Sequence, residues 1–492
     1  MSRTYAGARL RRLREDRGLK QAELARLLGI SPSYLNQMEH ESRPLTVPVL
    51  LRLTETFGID AGFFSERDTS RLVADLREAL AGAVDAARVS PSDLSELAAR
   101  MPDVATALID LARRNRGLAE QVSEVAEGRG PGAGAVSARP PRSAHEEIRE
   151  FFYRRRNYLH ETDLAAESLA ARIGIRPGEV RRALTTRLAE HGVRLADDPS
   201  GQRHGHRDDQ HHQHHYDPET RVLHLSARLR PGQRAFRMAT QLALLEHGDA
   251  ISALAAEDFP TGSQAWTLAR IGIANYYAAA LILPYRAFHA AAEEVRYDIE
   301  RLTDRFGLGH ETVCHRLSTL QRPKLRGVPF SFVRVDRAGN LSKRQSATDF
   351  HFSRTGGTCP LWGVYDAFAA PGRIHVQVAA MPDGQRHLWT SRTVTRNRGG
   401  WGEPGKTFVI ALGCEIRHAS RVVYSDGLDL DNAAAATPIG MGCRVCERTD
   451  CPQRAVPPLD RALSVDEHSS TFVPYPVREG GPPSGNRTPH GG

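Results

Sequence analysis

Residues 21–37 read Gln21-Ala-Glu-Leu-Ala-Arg-Leu-Leu-Gly-Ile-Ser-Pro-Ser-Tyr-Leu-Asn-Gln37, two short helices broken at a glycine. Leu24, Leu27 and Leu28, with Leu10 and Leu13 before them, recur at helical spacing. Gly29 can take the left-handed conformation that a tight inter-helix turn needs. Ser31 then restarts a helix as its N-cap, with Pro32 at the first helical position. Ala25 and Ile30 are the small and apolar residues that let two helices cross closely. The pattern is a helix-turn-helix.

In that geometry the second helix enters the major groove and its N-terminal residues meet base edges. Its exposed face should carry Ser31, Ser33, Tyr34, Asn36 and Gln37. Asn and Gln each present a donor and an acceptor together, as adenine N6 and N7 require. Gln21 and Arg43 should approach phosphates, with part of an early basic run of Arg3, Arg9, Arg11, Arg12, Arg14, Arg17 and Lys20. Leu35, Met38, Leu45, Leu50 and Leu53 read as core. Over residues 5–64 the segment resembles the phage-repressor (XRE/Cro) family, carried by the run from Gly18 to Asp60. The resemblance implies a five-helix domain on a double-stranded DNA operator. One such motif reads one half-site, so a homodimer or higher homo-oligomer is expected.

At roughly 150 residues per domain, 492 residues predict about three domains. The net charge of +8 suits an acidic partner. Six cysteines are too few for a disulfide-stapled secreted scaffold. No leading signal segment and no run of about 18 apolar residues are read, so the expectation is a cytoplasmic protein with no membrane partner.

Near the C-terminus the chain reads Cys443-Arg-Val-Cys446-Glu-Arg-Thr-Asp-Cys451-Pro452. Thiolates this dense bind soft metals well. A CxxC alone is also a redox dithiol or a chance pair, but a third Cys after four residues, followed by Pro, is a stronger signal. The set is one ligand short of four, and Cys359 in Gly-Thr-Cys359-Pro360 is the best candidate to complete it. An iron–sulfur cluster is favoured over zinc; a disulfide or inert thiols remain alternatives. Cys314 and Cys414 sit in apolar helical and strand-like surroundings and read as buried thiols.

Between these ends, Gly128 to Arg142 is Gly/Pro-rich and reads as linker. Residues 166–184 and 299–320 read as packed helical hairpins. The six histidines between His204 and His215 read as a solvated, low-complexity loop. Residues 218–247 read as strand, turn and a helix from about Gln233. This arrangement looks like the ImmA/IrrE peptidases, whose helix carries H-E-x-x-H to bind zinc and supply a base. Here Thr240, Gln241 and Leu244 hold those positions, and none can do that chemistry. The segment is read as a binding pocket on a former enzyme's fold. Tyr276 and Tyr277, with Lys343 and Arg344 after the strand-like residues 328–335, suit an acyl chain joined to a phosphorylated carrier.

Residues Phe350–Trp362, Val423–Leu430 and Thr437–Pro458 extend the resemblance along residues 5–463, to the actinobacterial short-chain fatty-acyl-responsive regulators of acetate, propionate, glyoxylate-shunt and methylcitrate-cycle genes. The resemblance implies an acyl-CoA effector and a [4Fe–4S] cluster, with zinc as the alternative, on the cysteines matching Cys359, Cys443, Cys446 and Cys451. The expected fold is multidomain and mainly α with an α+β C-terminal half. It divides into a helix-turn-helix domain (1–65), a helical connector or dimerisation segment (66–127), a linker (128–144), a degenerate ImmA/IrrE-like effector domain (145–325), a C-terminal sensor domain with the cysteines (326–463) and a disordered tail (464–492). The function expected is transcription regulation, not catalysis. A redox or iron sensor without a small ligand and a zinc peptidase are the rivals.

Overall fold

The computed structural model describes residues 7–17, 19–40, 42–57, 67–80, 89–102, 104–112, 115, 144–198, 213–348, 350, 358–396, 405–458 and 463–477. Two compact units emerge: one gathers residues 1–140, 349–356 and 441–492, the other residues 141–348 and 357–440.

The first unit opens with α1 (Gly7–Asp16), α2 (Gln21–Leu27), α3 (Pro32–Glu39) and α4 (Val47–Phe57). Their apolar faces close on Leu10, Leu13, Leu24, Ala25, Leu28, Leu35, Met38, Val49 and Leu53. Gly29 adopts φ +61°, and Ser31 Oγ accepts from the Tyr34 amide at 3.1 Å. Of the five helices that the family resemblance implies, four lie among the described residues here. The next, α5 (Arg67–Leu80), packs instead with α6 (Pro91–Arg100) around Leu76, Leu94, Ala98, Ala105 and Ile109. The expected connector therefore has a small core of its own. The linker at 128–144 lies outside the described residues, apart from its last residue. Of the tail expected from residue 464 onward, residues 464–477 are described. There Leu463 bridges Val477, and the Ser464 amide donates to the Pro476 carbonyl at 2.8 Å.

The second unit begins with α7 (Ala144–Arg154), α8 (His160–Arg172) and α9 (Val180–Glu190). A small mixed sheet follows: β3 (Val222–Ser226) is central, with β1 (Arg194–Asp198) parallel and β2 (His214–Asp217) antiparallel to it. His214 and His215 are thus strand residues rather than loop, and the His215 ring stacks on His224 across the sheet. β2 lies at the sheet edge and none of its residues is fully buried, so the strand tolerates histidine on both faces. His204–His212 lie outside the described residues. Pro231 opens α10 (Pro231–Ala256), which packs against the apolar α11 (Gln264–Ile282). The helices α12 (Tyr285–Glu294), α13 (Ile299–Phe306) and α14 (His310–Leu317) lead into a six-stranded sheet in the order β5-β4-β8-β7-β6-β9. Its strands are β4 (Ser331–Val335), β5 (Leu341–Ser346), β6 (His375–Ala380), β7 (Arg386–Arg396), β8 (Lys406–Glu415) and β9 (Thr437–Pro438). One continuous core joins these helices to that sheet, from Phe151 through Tyr285 to Leu412.

Candidate DNA-binding face, cavity and cysteine loop

On α3, Ser31, Ser33, Asn36 and Gln37 are exposed and Tyr34 is half-buried, with the Arg43 guanidinium over its ring at 5.5 Å. Gln21 is held differently from a free phosphate-seeking side chain. Its amide Nε2 donates to Asn36 Oδ1 at 3.1 Å and to Glu39 Oε2 at 3.0 Å. Glu39 is buried and also accepts from Arg14 Nε at 2.7 Å. Gln21 therefore locks the two helices of the motif together and orients Asn36, which leaves Gln37 and Ser33 as the freer polar groups of that face.

The second unit contains a cavity of about 450 Å³. One wall is apolar, built from Ile148 and Phe152 of α7, Phe236 of α10, and Leu268 and Ile271 of α11. A β-carbon at Gly272 would meet the Phe152 ring at 3.0 Å, so the glycine permits α7 to close on α11 there. The same cavity is strongly cationic: Arg149, Arg237, Arg334, Lys343, Arg344 and Arg396 all line it. Glu311 is the one carboxylate in the lining. It pairs with Arg334 at 3.0 Å and with Arg396. Burial opposes its charge, yet Arg396, Lys343 and Arg334 together hold it below the usual carboxylate range. Burial and the Arg396 cation depress Arg237, whose Nη2 donates to Gln213 Oε1 at 2.7 Å.

The sequence placed Tyr276, Lys343 and Arg344 at an effector pocket, and all three line this cavity. Tyr277 does not. Consecutive helical residues point about 100° apart, so Tyr277 faces α10 instead, its ring 4.6 Å from that of His247. The Tyr276 hydroxyl turns away from the cavity and donates to buried Asp163 at 2.8 Å. Sequence reasoning missed Phe152, Phe236, Arg149, Arg237, Arg334 and Arg396. One signal was available: Phe236-Arg237 lies one turn before Thr240-Gln241 on the helix that looks like the peptidase helix. There Thr240 Oγ1 donates to the Phe236 carbonyl at 2.9 Å and Gln241 is buried.

In the first unit, Cys443, Cys446 and Cys451 are half-buried free thiols on a loop organised by Arg454. Its buried guanidinium donates to the carbonyls of Cys443 at 2.6 Å, Cys446 at 3.0 Å and Arg448. The Ala455 amide donates to Cys443 Sγ at 3.4 Å. Cys359, in the second unit, is buried. Cys314 and Cys414 are buried as expected, and burial pushes the Cys414 thiol up to about 12. Among the described residues no three His, Cys, Asp or Glu side chains converge as a ligand cage. Among them, too, no helix is long and apolar enough to cross a membrane.

Comparison with known proteins matches a helix-turn-helix over residues 10–64, an IrrE N-terminal-like domain over 188–318 and the C-terminal domain of the short-chain fatty acyl coenzyme A regulators over 319–475. The cavity draws on both of the latter. The HTH-type transcriptional regulator RamB of Mycobacterium tuberculosis is 54% identical, over 97% of this chain and all of that protein. The regulator PrpR of the same organism is 48% identical, over 97% of each. A propionyl-CoA carboxylase regulator of Cereibacter sphaeroides is 43% identical, over 96% of this chain and 98% of that protein. A solved Mycobacterium tuberculosis transcriptional regulator is 49% identical, with a TM-score of 0.64, covering 68% of this chain and 100% of that one. The chain therefore belongs to the DNA-binding transcriptional regulators of the RamB and PrpR type, which join a helix-turn-helix, an IrrE N-terminal-like domain and a short-chain fatty acyl coenzyme A regulator domain.

Proposed function

We propose that this regulator takes a short-chain acyl-CoA in the cavity of its second unit and changes its operator affinity in response. The observation that carries this reading is the charge imbalance of the cavity, six cations against Glu311. Like charges gathered out of water are costly unless anions complete the site, and the phosphates of coenzyme A supply them with the geometry arginine prefers. The apolar wall of Phe152, Phe236 and Ile271 suits a short acyl chain. A peptidase reading is disfavoured because Thr240, Gln241 and Leu244 offer neither imidazole nor carboxylate. Calorimetric titration of the full chain with propionyl-CoA and acetyl-CoA tests the reading. Saturable 1:1 binding is expected, weakened roughly tenfold or more in Arg237→Ala or Arg396→Ala, as loss of a charge-assisted hydrogen bond predicts. Absence of binding by the unaltered protein would refute it.

The same proposal includes a [4Fe–4S] cluster on Cys359, Cys443, Cys446 and Cys451. The donors present fit such a group: soft sulfurs, with the buried Arg454 cation against the Cys443 and Cys446 carbonyls to offset the negative charge of ligated thiolates. When bound, a cluster of this kind supplies one-electron redox chemistry. Arg454 would hold the loop in register, and ligands in such loops converge as metal binding and local folding proceed together.

A dimer on a two-fold operator completes the proposal. Exposed Met101, Val104, Leu108 and Leu111 recur at three- and four-residue steps, the spacing at which two copies of a helix pair. Light scattering should give twice the chain mass, and Leu108→Glu with Leu111→Glu should return it to the monomer. A monomeric unaltered protein, with and without DNA, would overturn this.

A further inference from the structure

We infer that Lys343 is a covalent acyl acceptor: a thioester bound in the cavity transfers its acyl group to Lys343 Nζ. This rests on the acyl-CoA reading of the cavity and adds a modification site to it. Only four of the chain's 66 basic side chains are lysine, namely Lys20, Lys324, Lys343 and Lys406. Lys20, Lys324 and Lys406 are exposed, whereas Lys343 lines the cavity on β5. Every other permanent cation lining the cavity is arginine, which stays protonated and cannot attack a carbonyl. Lysine is the basic side chain that can shed its proton and become a nucleophile.

The surroundings favour that neutral form. Among the described residues no ion pair ties the Lys343 ammonium; the Phe332 ring face, 5.5 Å from its Nζ, is the one aromatic contact and favours the cation, against the effect of burial. Burial pulls Lys343 down to about 8; Glu311 opposes this, and the Arg334 and Arg396 cations add to it. The remaining charged and titratable groups lining the cavity are the cations Arg149, Arg237 and Arg344, the imidazoles of His145 and His315, and the Tyr276 phenol. At pH 7 about one lysine in ten is then a free amine, against fewer than about one in a thousand for an exposed side chain.

The transfer balances without another reactant. The amine adds to the thioester carbonyl, the C–N bond forms as the C–S bond breaks, and the coenzyme A thiolate leaves with the proton the amine gives up. The products are an Nζ-acyl amide on Lys343 and free coenzyme A thiol. The amide abolishes one cavity cation and leaves an acyl group against Phe332. An acylated chain would therefore bind a fresh acyl-CoA less well and keep a record of past exposure.

The test uses the full chain. Peptide mass mapping after incubation with propionyl-CoA should place one propionyl group on Lys343, formed at least about tenfold faster than on Lys20, Lys324 or Lys406. The rate should climb with pH and level off above about 8, and Lys343→Arg should abolish this modification. In parallel, calorimetry with propyl-CoA, a thioether that cannot transfer, reports binding alone. Thioether binding with Lys343 unmodified, or modified no faster than the exposed lysines, overturns the acceptor role and leaves the effector reading standing. Failure of both binding and acylation overturns the two together.

Discussion

Asp163 is fully buried, and its carboxylate accepts from Arg316 Nη1 at 2.7 Å, Arg322 Nη2 at 2.9 Å and the Tyr276 hydroxyl at 2.8 Å. Glu167 takes the other side of Arg322 at 2.7 Å, so two carboxylates balance two guanidinium groups. Removing one member strands the rest, because a buried charge without its counter-ion keeps the desolvation cost and loses the attraction that offset it. Asp163→Asn keeps the shape but leaves Arg316 uncompensated. The expected loss is about 3 kcal/mol of the second unit's stability, read as a lower urea midpoint. A midpoint unchanged from the unaltered protein would mean that Arg322 and Glu167 suffice. The Tyr276 hydroxyl ties this cluster to the edge of the cavity, a link that the sequence could not disclose because 113 residues separate Tyr276 from Asp163.

At the scale of the element, α3 owes its start to Ser31 and Pro32 and its bearing to Gln21. Ser31→Ala should cost about 1 kcal/mol, the worth of an N-cap whose amide partner is left bare. Gln37 is exposed and free of the hydrogen bonds that engage Asn36 and Gln21, so it separates recognition from folding more cleanly than Asn36 does. Gln37→Ala should weaken operator binding by about 1–3 kcal/mol while affinity for random DNA and the melting temperature stay level. A gel shift with equal losses on both DNAs would move Gln37 from base contact to backbone contact. The helix α10 shows the opposite case. Its resemblance to a peptidase helix was plain in the sequence, but that Phe236 and Arg237 wall a cavity depended on α7, α11 and the sheet arriving beside it.

For the whole molecule, the cysteine proposal gives the sharpest outcome. Protein prepared without oxygen should be brown, with absorbance near about 400 nm from thiolate-to-iron charge transfer. Changing Cys359, Cys443, Cys446 or Cys451 to Ser should remove most of the iron, whereas Cys314→Ser or Cys414→Ser should not. Colourless protein with one equivalent of zinc would overturn the cluster, and equal iron loss in all six variants would overturn the ligand set. The amino-acid sequence by itself determined the helix-turn-helix, the loss of the peptidase triad at Thr240, Gln241 and Leu244, and the crowding of Cys443, Cys446 and Cys451. Each of these is a local matter of spacing, capping or side-chain chemistry within about a dozen residues. From sequence, Tyr276, Tyr277, Lys343 and Arg344 all read as lining an effector pocket; the first and the last two line the cavity, whereas Tyr277 is turned by its helix toward His247. Only the tertiary structure decided that Arg149, Arg237, Arg334 and Arg396 join Lys343 around one cavity, with Glu311 the one carboxylate in its lining. Those residues come from two helices and three strands, and a chain in which 66 of 492 side chains are basic does not announce which few will meet. Their charges acquire meaning when packing takes them out of water together.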